Sequence, residues 1–189
     1  SVTIKKAEPL PVIRISNFTP TTAKELETVL KQIGINRPKI IDLRGNTGGD
    51  LFSAIKSADL FLDTGRKIVE LRLKSTTELY QSKKLAINRT SNLFIWQDNY
   101  TASASEVFIA AITQNNRGIS VGYKSHGKGI AQKLIELKNN SALILTYASL
   151  LTPNGESFHL RGLEPDYLLT PGGQHDDSVY AKKVWDLMN

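Results

Sequence analysis

Thr101-Ala-Ser-Ala-Ser-Glu-Val-Phe-Ile-Ala-Ala-Ile112 is the stretch around which this 189-residue chain is organised. Its small residues open an apolar helix, and Ser125-His-Gly-Lys-Gly-Ile-Ala-Gln132 follows downstream with a lysine between two glycines. We predict that Ser103 is a nucleophile at the helix start and that Lys128 is its base. The two residues are too far apart in sequence for a local contact. They can meet only if a strand returns the chain to the helix, and Arg117-Gly-Ile-Ser-Val-Gly122 is the candidate strand.

The chemistry of this pair sets conditions on its surroundings. A serine hydroxyl is a poor nucleophile until a base removes its proton. A lysine amine is such a base only when neutral, so its pKa must fall by several units from about 10.4. Gly127 and Gly129 would let the backbone crowd the amine, and the Ala104 N–H at the helix start can donate to an oxyanion. A structural interpretation stays open, because small residues also cap helices and Gly-Lys-Gly also forms exposed turns.

The composition fits a single globular domain, since 40% of the residues are apolar and 22% are charged. The absence of cysteine excludes disulfides, zinc–thiolate sites and cysteine nucleophiles. The net charge of +6 comes from scattered lysines without a nucleic-acid motif, so no nucleic-acid partner is expected.

No apolar run approaches the about 18 residues that a membrane-spanning helix needs. The chain opens on Ser1 without an apolar leader, so we expect a processed or excised chain, in which a targeting segment would no longer be present.

Predicted strands and helices alternate along the chain, which indicates an α/β fold with a β-hairpin inserted late. The hairpin is expected to join residues 132–137 to 141–147 through Asn139-Asn140. Residues 75–90 are polar and lysine-rich and are expected to form a surface hairpin or a mobile loop. The remaining strands are expected over 11–16, 39–43, 67–73, 92–96 and 117–122, and the helices from Thr19, over 50–62, from Thr101 and over 176–189.

The last of these helices is expected to be short and amphipathic. Its inward-facing residues are predicted to be Val179, Val184, Trp185 and Met188.

Arg44-Gly-Asn-Thr-Gly-Gly49 is a glycine-rich turn between a predicted strand and a predicted helix. Such a turn presents backbone N–H groups to an anion. It lacks the Gly-Lys-Ser/Thr ending of a nucleotide-binding P-loop and the glycine spacing of a dinucleotide site. An oxyanion or a carboxylate fits such a nest. A tight turn that requires positive φ explains the glycines equally well.

Six motifs occur in one order, and together they resemble the carboxyl-terminal processing proteases, also called tail-specific proteases. The resemblance runs from about Pro11 to Leu169. Each motif alone is unspecific, whereas six in order are specific. They are Ile40–Gly49, Thr101–Glu106, Val121–Gly129, Leu145–Ala148, Thr152–Gly155 and Gly162–Asp166.

The resemblance implies a crotonase/ClpP-like α/β core with a mixed sheet, flanking helices and a late β-hairpin. It also implies a serine endopeptidase with a Ser–Lys dyad and no metal or organic cofactor. In the family pattern the nucleophile is the middle serine of its motif, so Ser103 is implied rather than Ser105. The implied site residues are Ser103 as nucleophile, Lys128 as base, Gln132 to orient the lysine, and an oxyanion hole from the N–H of Ala104 and of Gly48 or Gly49.

Several residues depart from the family pattern. Thr47 stands where proline is frequent, and Gln114 stands where some members have an acidic residue, so Gln114 receives no role. His126 stands where an aromatic residue is common and is an alternative base, but the resemblance and the lack of an acidic partner favour Lys128. His159 and His175 are interpreted as ordinary surface or hairpin residues.

The largest departure is that only residues 1–10 precede the core, where members of this family usually carry a PDZ domain. Residues 1–10 are expected to be an extension or the remnant of a preceding module. Residues 11–175 are expected to form the peptidase core, with a C-terminal helix over 176–189 packed on it. The chain is therefore either an excised core or a member without PDZ.

The function expected from these features is cleavage of extended or unfolded polypeptides near their C-termini through an acyl-enzyme, with the substrate bound as an added strand. The alternative is a non-enzymatic peptide-binding or scaffold module on the same fold. A third hypothesis, acyl-CoA chemistry, rests on fold analogy alone. The resemblance implies a place outside the cytoplasm, in the bacterial periplasm or envelope or in the thylakoid lumen.

Overall fold

The computed structural model describes residues 1–5, 10–87, 91–138, 141–170, 172 and 176–189. Strands and helices alternate through most of this part of the chain. The strands are Val2–Lys5 (β1), Val12–Ile15 (β2), Lys39–Asp42 (β3), Lys67–Arg72 (β4), Thr77–Gln81 (β5), Leu93–Gln97 (β6), Ile119–Gly122 (β7), Ile130–Glu136 (β8), Ala142–Leu151 (β9) and Tyr167–Leu168 (β10). The helices are Thr22–Ile33 (α1), Leu51–Asp59 (α2), Ala104–Thr113 (α3) and Asp177–Met188 (α4).

The main sheet is mixed, with the strand order β1-β2-β3-β6-β7-β10. β1 runs antiparallel to β2, and every other neighbouring pair is parallel. Its central strands are buried on both faces, which explains their continuous apolar sequence. Ile41 packs into the cluster that includes α1, α2 and α3, whereas its neighbour Ile40 packs with α4 on the other face. The sheet thus lies between helices α1, α2 and α3 on one face and helix α4 on the other.

A second, antiparallel sheet has the order β5-β4-β9-β8. It joins two hairpins, β4–β5 and β8–β9, through the pairing of Glu70 with Leu151. The late hairpin predicted from the sequence is present, and its strands are longer than predicted. Its turn at Asn139-Asn140 lies outside the described residues. Within the polar segment 75–90, predicted as a surface hairpin or mobile loop, Thr77–Gln81 forms strand β5, and residues 88–90 lie outside the described residues.

The first residues of the chain belong to the main sheet, since Val2–Lys5 pairs with β2 as its edge strand. The Ser1 amino group forms an ion pair with Glu25 on α1 at 3.0 Å. The division into an extension, a core and a terminal helix stays a prediction.

Helix α4 packs on the sheet through Tyr180 and Val184, both fully buried. These residues are four apart and therefore form one ridge. The Tyr180 ring packs against Trp96, with their centroids 5.3 Å apart. The prediction that Trp185 faces inward is wrong: it is 51% exposed, because one further residue turns the side chain by about 100° away from that ridge. Among the described helices, none has the length and apolar content needed to cross a bilayer.

Lys39 at the start of β3 is a buried cation. Its Nζ donates hydrogen bonds to the Ile35 carbonyl and to Ser91 Oγ, each at 3.1 Å. Burial lowers the pKa of Lys39 to about 8, and the positive charge of Arg117 acts in the same direction. The charged form of this lysine is therefore disfavoured in the folded chain.

We expect the Lys39 site to make stability rise with pH. Between pH about 8 and pH about 10.4 the unfolded chain keeps the proton that the folded chain has released, so deprotonation favours folding. The unfolding free energy of Lys39→Met minus that of wild type should therefore fall by about 2 to 3 kcal/mol between pH 7 and pH 10. Urea denaturation at both pH values measures it. Lys24→Met, on the exposed face of α1, is the control. Parallel curves for wild type and Lys39→Met would contradict the expectation.

Candidate active site

Ser103 immediately precedes helix α3, in the connection that leaves the buried strand β6. Its backbone has φ 59° and ψ −119°, a conformation that side-chain-bearing residues rarely adopt. Such strain persists only where the surrounding structure holds it, and it concentrates at functional sites. Ser105, by contrast, is fully buried and donates to the Asn46 carbonyl at 3.1 Å. Of the two serines, the half-buried Ser103 faces a cavity.

Lys128 lies in the connection between β7 and β8 and is half-buried. As the sequence predicted, a strand brings the chain back beside the helix: β7 lies parallel to β6 and leads into the lysine segment. Ser103 and Lys128 line the same cavity, which has a volume of about 360 Å³. The other residues that line it are Thr47, Gly49, Asp50, Leu51, Phe52, Ile130, Ala131, Gln132, Tyr147 and Leu150.

Glu106 joins the serine to the lysine segment. It is fully buried, and its carboxylate accepts four hydrogen bonds. The Ser103 N–H donates to it at 2.7 Å, and the Lys128 N–H at 2.8 Å. The Gly127 N–H and the Ser125 hydroxyl donate to its other oxygen at 2.7 Å and 2.6 Å. One side chain thus fixes the backbone of both candidate catalytic residues.

The lysine segment is also held from its other side by residues 158–163. Ser125 Oγ accepts from the Leu163 N–H at 2.7 Å, and the Leu160 N–H donates to the Gly127 carbonyl at 2.8 Å. Gly127 has φ +91°, and a Cβ there would lie 2.7 Å from the Gly162 nitrogen. Glycine is therefore required at this position. The exposed His126 contributes its N–H to the Thr101 carbonyl at 2.9 Å.

The glycine turn lies directly against Ser103. Gly48 has φ +107°, and a Cβ there would lie 2.8 Å from the Ser103 Cβ. Asn46 braces the turn, since its side chain donates to the Ile15 carbonyl and accepts from the Gly48 N–H at 2.8 Å and 2.9 Å. The Gly48 N–H is therefore already engaged. Within the described residues, the N–H groups of Gly49 and Ala104 have no hydrogen-bond acceptor among the backbone and side-chain contacts.

Arg44 anchors the start of this turn. Its guanidinium donates twice to Asp42, at 2.8 Å each, and once to Asp177 on α4 at 2.6 Å. It also lies 4.6 Å from the ring centroids of both Trp96 and Tyr180. Burial alone would lower the pKa of Arg44, but the two carboxylates outweigh burial and raise it. The same contact lowers the pKa of Asp177.

Gln132 lines the cavity, and its amide nitrogen donates to Thr146 Oγ1 at 3.2 Å. Across the described ranges no hydrogen bond joins it to Lys128. Its role in orienting the lysine stays a prediction. No cluster of three or more His, Cys, Asp or Glu suited to a metal ion occurs in the part of the chain that the structure describes.

Sequence reasoning missed the role of Glu106. The pattern that could have revealed it is Ser103-Ala-Ser-Glu106, the spacing of a capping box at a helix start. That pattern accounts for the bond from the Ser103 N–H. It does not account for the three bonds from residues 125–128, which depend on the tertiary fold.

A serine and a lysine facing one cavity on an α/β core are features of serine-type peptidases. The chain belongs to peptidase family S41, since the sequence profile of that family matches residues 10–169. The matched range includes the glycine turn, the Ser103 helix and the lysine segment. The resemblance inferred from the six motifs is therefore confirmed.

Two proteins named "Probable CtpA-like serine protease" are similar to this chain. That of Staphylococcus aureus (strain COL) is 38% identical over 170 residues, and that of Staphylococcus haemolyticus (strain JCSC1435) is 35% identical over 171 residues. Both matches cover 88% of this chain and 34% of the relative. The chain thus spans about a third of the length of the relatives it matches.

Solved structures match the fold over nearly the whole chain. A photosystem II D1 C-terminal processing protease superposes with a TM-score of 0.77 at 27% identity, covering 93% of this chain and 46% of that one. A lipoprotein from Streptococcus agalactiae superposes with a TM-score of 0.75 at 16% identity, covering 97% and 69%, which shows the fold alone. The predicted α/β class with a mixed sheet and flanking helices is confirmed.

We expect Glu106→Gln to weaken both folding and the site. An amide offers one acceptor oxygen and adds an N–H₂ group that faces backbone donors, so buried N–H groups lose their partners. The free energy of unfolding should fall by about 2 to 3 kcal/mol. Chemical denaturation measures this loss. Glu27→Gln, at a partly exposed position of α1, is the matched control and should change stability by no more than about 0.5 kcal/mol. Equal effects of the two substitutions would contradict the assigned role.

Proposed function

We propose that this chain is the catalytic core of a serine endopeptidase that acts through Ser103 and Lys128. The observation that carries the proposal is the single cavity that both side chains line, with Ser103 in a strained conformation and both backbones held by Glu106. Because the chain spans about a third of the length of its relatives, the activity of the whole protein is part of the proposal.

In the proposed reaction, Ser103 Oγ attacks the scissile carbonyl while Lys128 Nζ accepts the hydroxyl proton. The tetrahedral intermediate collapses to an acyl-enzyme, and Lys128 returns the proton to the leaving amine. Water then attacks the ester, and Lys128 again accepts and returns a proton. The carboxylate of Glu106 takes no proton in this scheme, since it is occupied with the four donors that position the two reacting groups.

The proposed oxyanion hole uses the N–H groups of Ala104 and Gly49. The sequence left Gly48 and Gly49 as alternatives, and the bond from the Gly48 N–H to Asn46 favours Gly49. Phe18 bonds to the carbonyl of Gly48 and to the N–H of Asp50, so the N–H of the residue between them points away from Phe18. Donors fixed before the reaction stabilise the developing negative charge without reorganisation.

The proposed substrate is an extended polypeptide cut near its C-terminus. The cavity beside Ser103 is lined by polar residues and by the apolar Leu51, Ile130 and Leu150, so it offers contacts both to the backbone and to the apolar side chains of an extended peptide. The similarity to a D1 C-terminal processing protease at 27% identity supports cleavage near the C-terminus. A place outside the cytoplasm follows from the family resemblance and belongs to this proposal.

We expect Ser103→Ala and Lys128→Met each to reduce cleavage of denatured casein by at least about 10³-fold, because nucleophile and base act as one unit. Release of soluble peptides measures the rate. Lys124→Met is the matched control: Lys124 lies four residues before Lys128, is exposed and pairs with Glu164, so its loss should leave the rate unchanged.

A fluorophosphonate probe separates the outcomes of this experiment. Labelling of Ser103 in wild type, and none in Ser103→Ala, is the expected result. Unchanged casein cleavage in Ser103→Ala would overturn the mechanism. Absence of both labelling and cleavage in wild type would favour the alternative of a peptide-binding module.

A further inference from the structure

The outer part of hairpin β8–β9 carries exposed apolar residues beside the candidate active site. Leu134 on β8 is 63% exposed, and its direct partner Ile144 on β9 is 65% exposed. These two large apolar side chains lie next to each other on the surface, and clustered exposed apolar side chains mark binding sites. We call the Leu134–Ile144 pair the hairpin ridge.

The hairpin ridge continues the wall of the cavity. Gln132 lines the cavity beside Lys128 and pairs with Thr146. Side chains two positions apart on a strand share one face, so Leu134 follows Gln132 and Ile144 precedes Thr146 on the same face. Two residues of strand span about 7 Å. The ridge is therefore the next pair of positions outward from the cavity.

The backbone of β8 offers a second means of binding. β8 ends its sheet, with β9 as its single neighbour in the described part of the chain. Its outer edge thus presents N–H and C=O groups to an added strand. A strand paired there would lie about 4.8 Å from β8 and would place every second side chain beside Leu134.

We propose that the hairpin ridge binds an apolar segment of the extended polypeptide substrate, beyond the residues held next to Ser103. This inference rests on the proposed function. An extended peptide that leaves the cavity along β8 brings alternate side chains onto the ridge, with Leu134 in direct contact and Ile144 behind it. The ridge selects substrates that carry apolar residues at alternate positions, as unfolded core strands do.

A second copy of the chain fits the ridge less well. A stable dimer buries about 800 Å² on each partner, and a pair of side chains covers only a small part of that. Because the ridge continues the cavity, a peptide substrate that binds in the cavity is favoured over a second copy as the partner of the ridge.

The test uses two labelled synthetic peptides with the same central segment for the cavity. One carries leucine at alternate positions of a flanking segment, and the other carries serine there. Binding is measured by fluorescence anisotropy on chains that also carry Ser103→Ala, so that turnover does not interfere. The leucine peptide should bind about tenfold more tightly than the serine peptide, since it buries at least one large side chain.

Leu134→Thr combined with Ile144→Thr should remove this preference, with most of the loss from Leu134→Thr. Leu143→Thr combined with Leu145→Thr is the matched control, because those leucines are 47% and 41% exposed at the alternating positions of β9, on the opposite face. The control should keep the preference. A preference that survives in the Leu134/Ile144 variant, or that disappears in the control, would overturn the inference.

Two further readouts separate the possible failures. If wild type cleaves the peptides and shows no preference, the inference fails and the proposed function stands. If wild type cleaves neither peptide but prefers the leucine form, the ridge binds peptide and the proposed function fails. Sedimentation velocity completes the test: a change in self-association in the Leu134/Ile144 variant without a change in peptide affinity would assign the ridge to a second copy instead.

Discussion

The buried carboxylate of Glu106 is the constraint on which the rest of the site depends. A carboxylate inside a protein is stable only when its oxygens are satisfied, and here four donors satisfy them. Two donors come from the backbones of the candidate nucleophile and base, which belong to segments distant in sequence. The cost of burying the charge is offset only when both segments are in place. The site is therefore formed together with the fold around it.

The two sheets have different roles in this arrangement. The parallel strands of the main sheet supply the rigid ends from which the glycine turn and the Ser103 helix start, in keeping with the place of ligand sites at the carboxyl ends of parallel strands. The antiparallel sheet supplies the outer wall of the cavity through β8 and β9. Lys128 lies at the passage from one sheet to the other, so its position depends on how both sheets pack.

The sequence was sufficient for the parts of the fold that depend on local pattern. The apolar runs of β3 and β6 and the amphipathic face of α1 are periodic signals. The motifs predicted that Ser103 and Lys128 meet, and both residues line one cavity. Periodicity could not show that Glu70 pairs with Leu151, because partners so distant in sequence are chosen by tertiary packing. The prediction that Trp185 faces inward was wrong for a related reason, because apolar character alone does not show which of two adjacent residues occupies the ridge of a helix.

The contact of Arg44 with the rings of Trp96 and Tyr180 links the far end of the chain to the glycine turn beside Ser103. Helix α4 contributes both Tyr180 and Asp177 to this contact, although it lies on the opposite face of the sheet from α3. A shortened chain that ends before Asp177 would leave Arg44 with Asp42 as its remaining carboxylate partner and would uncover the Trp96 ring. The boundary chosen for any truncated form of this domain thus decides how firmly the glycine turn is held.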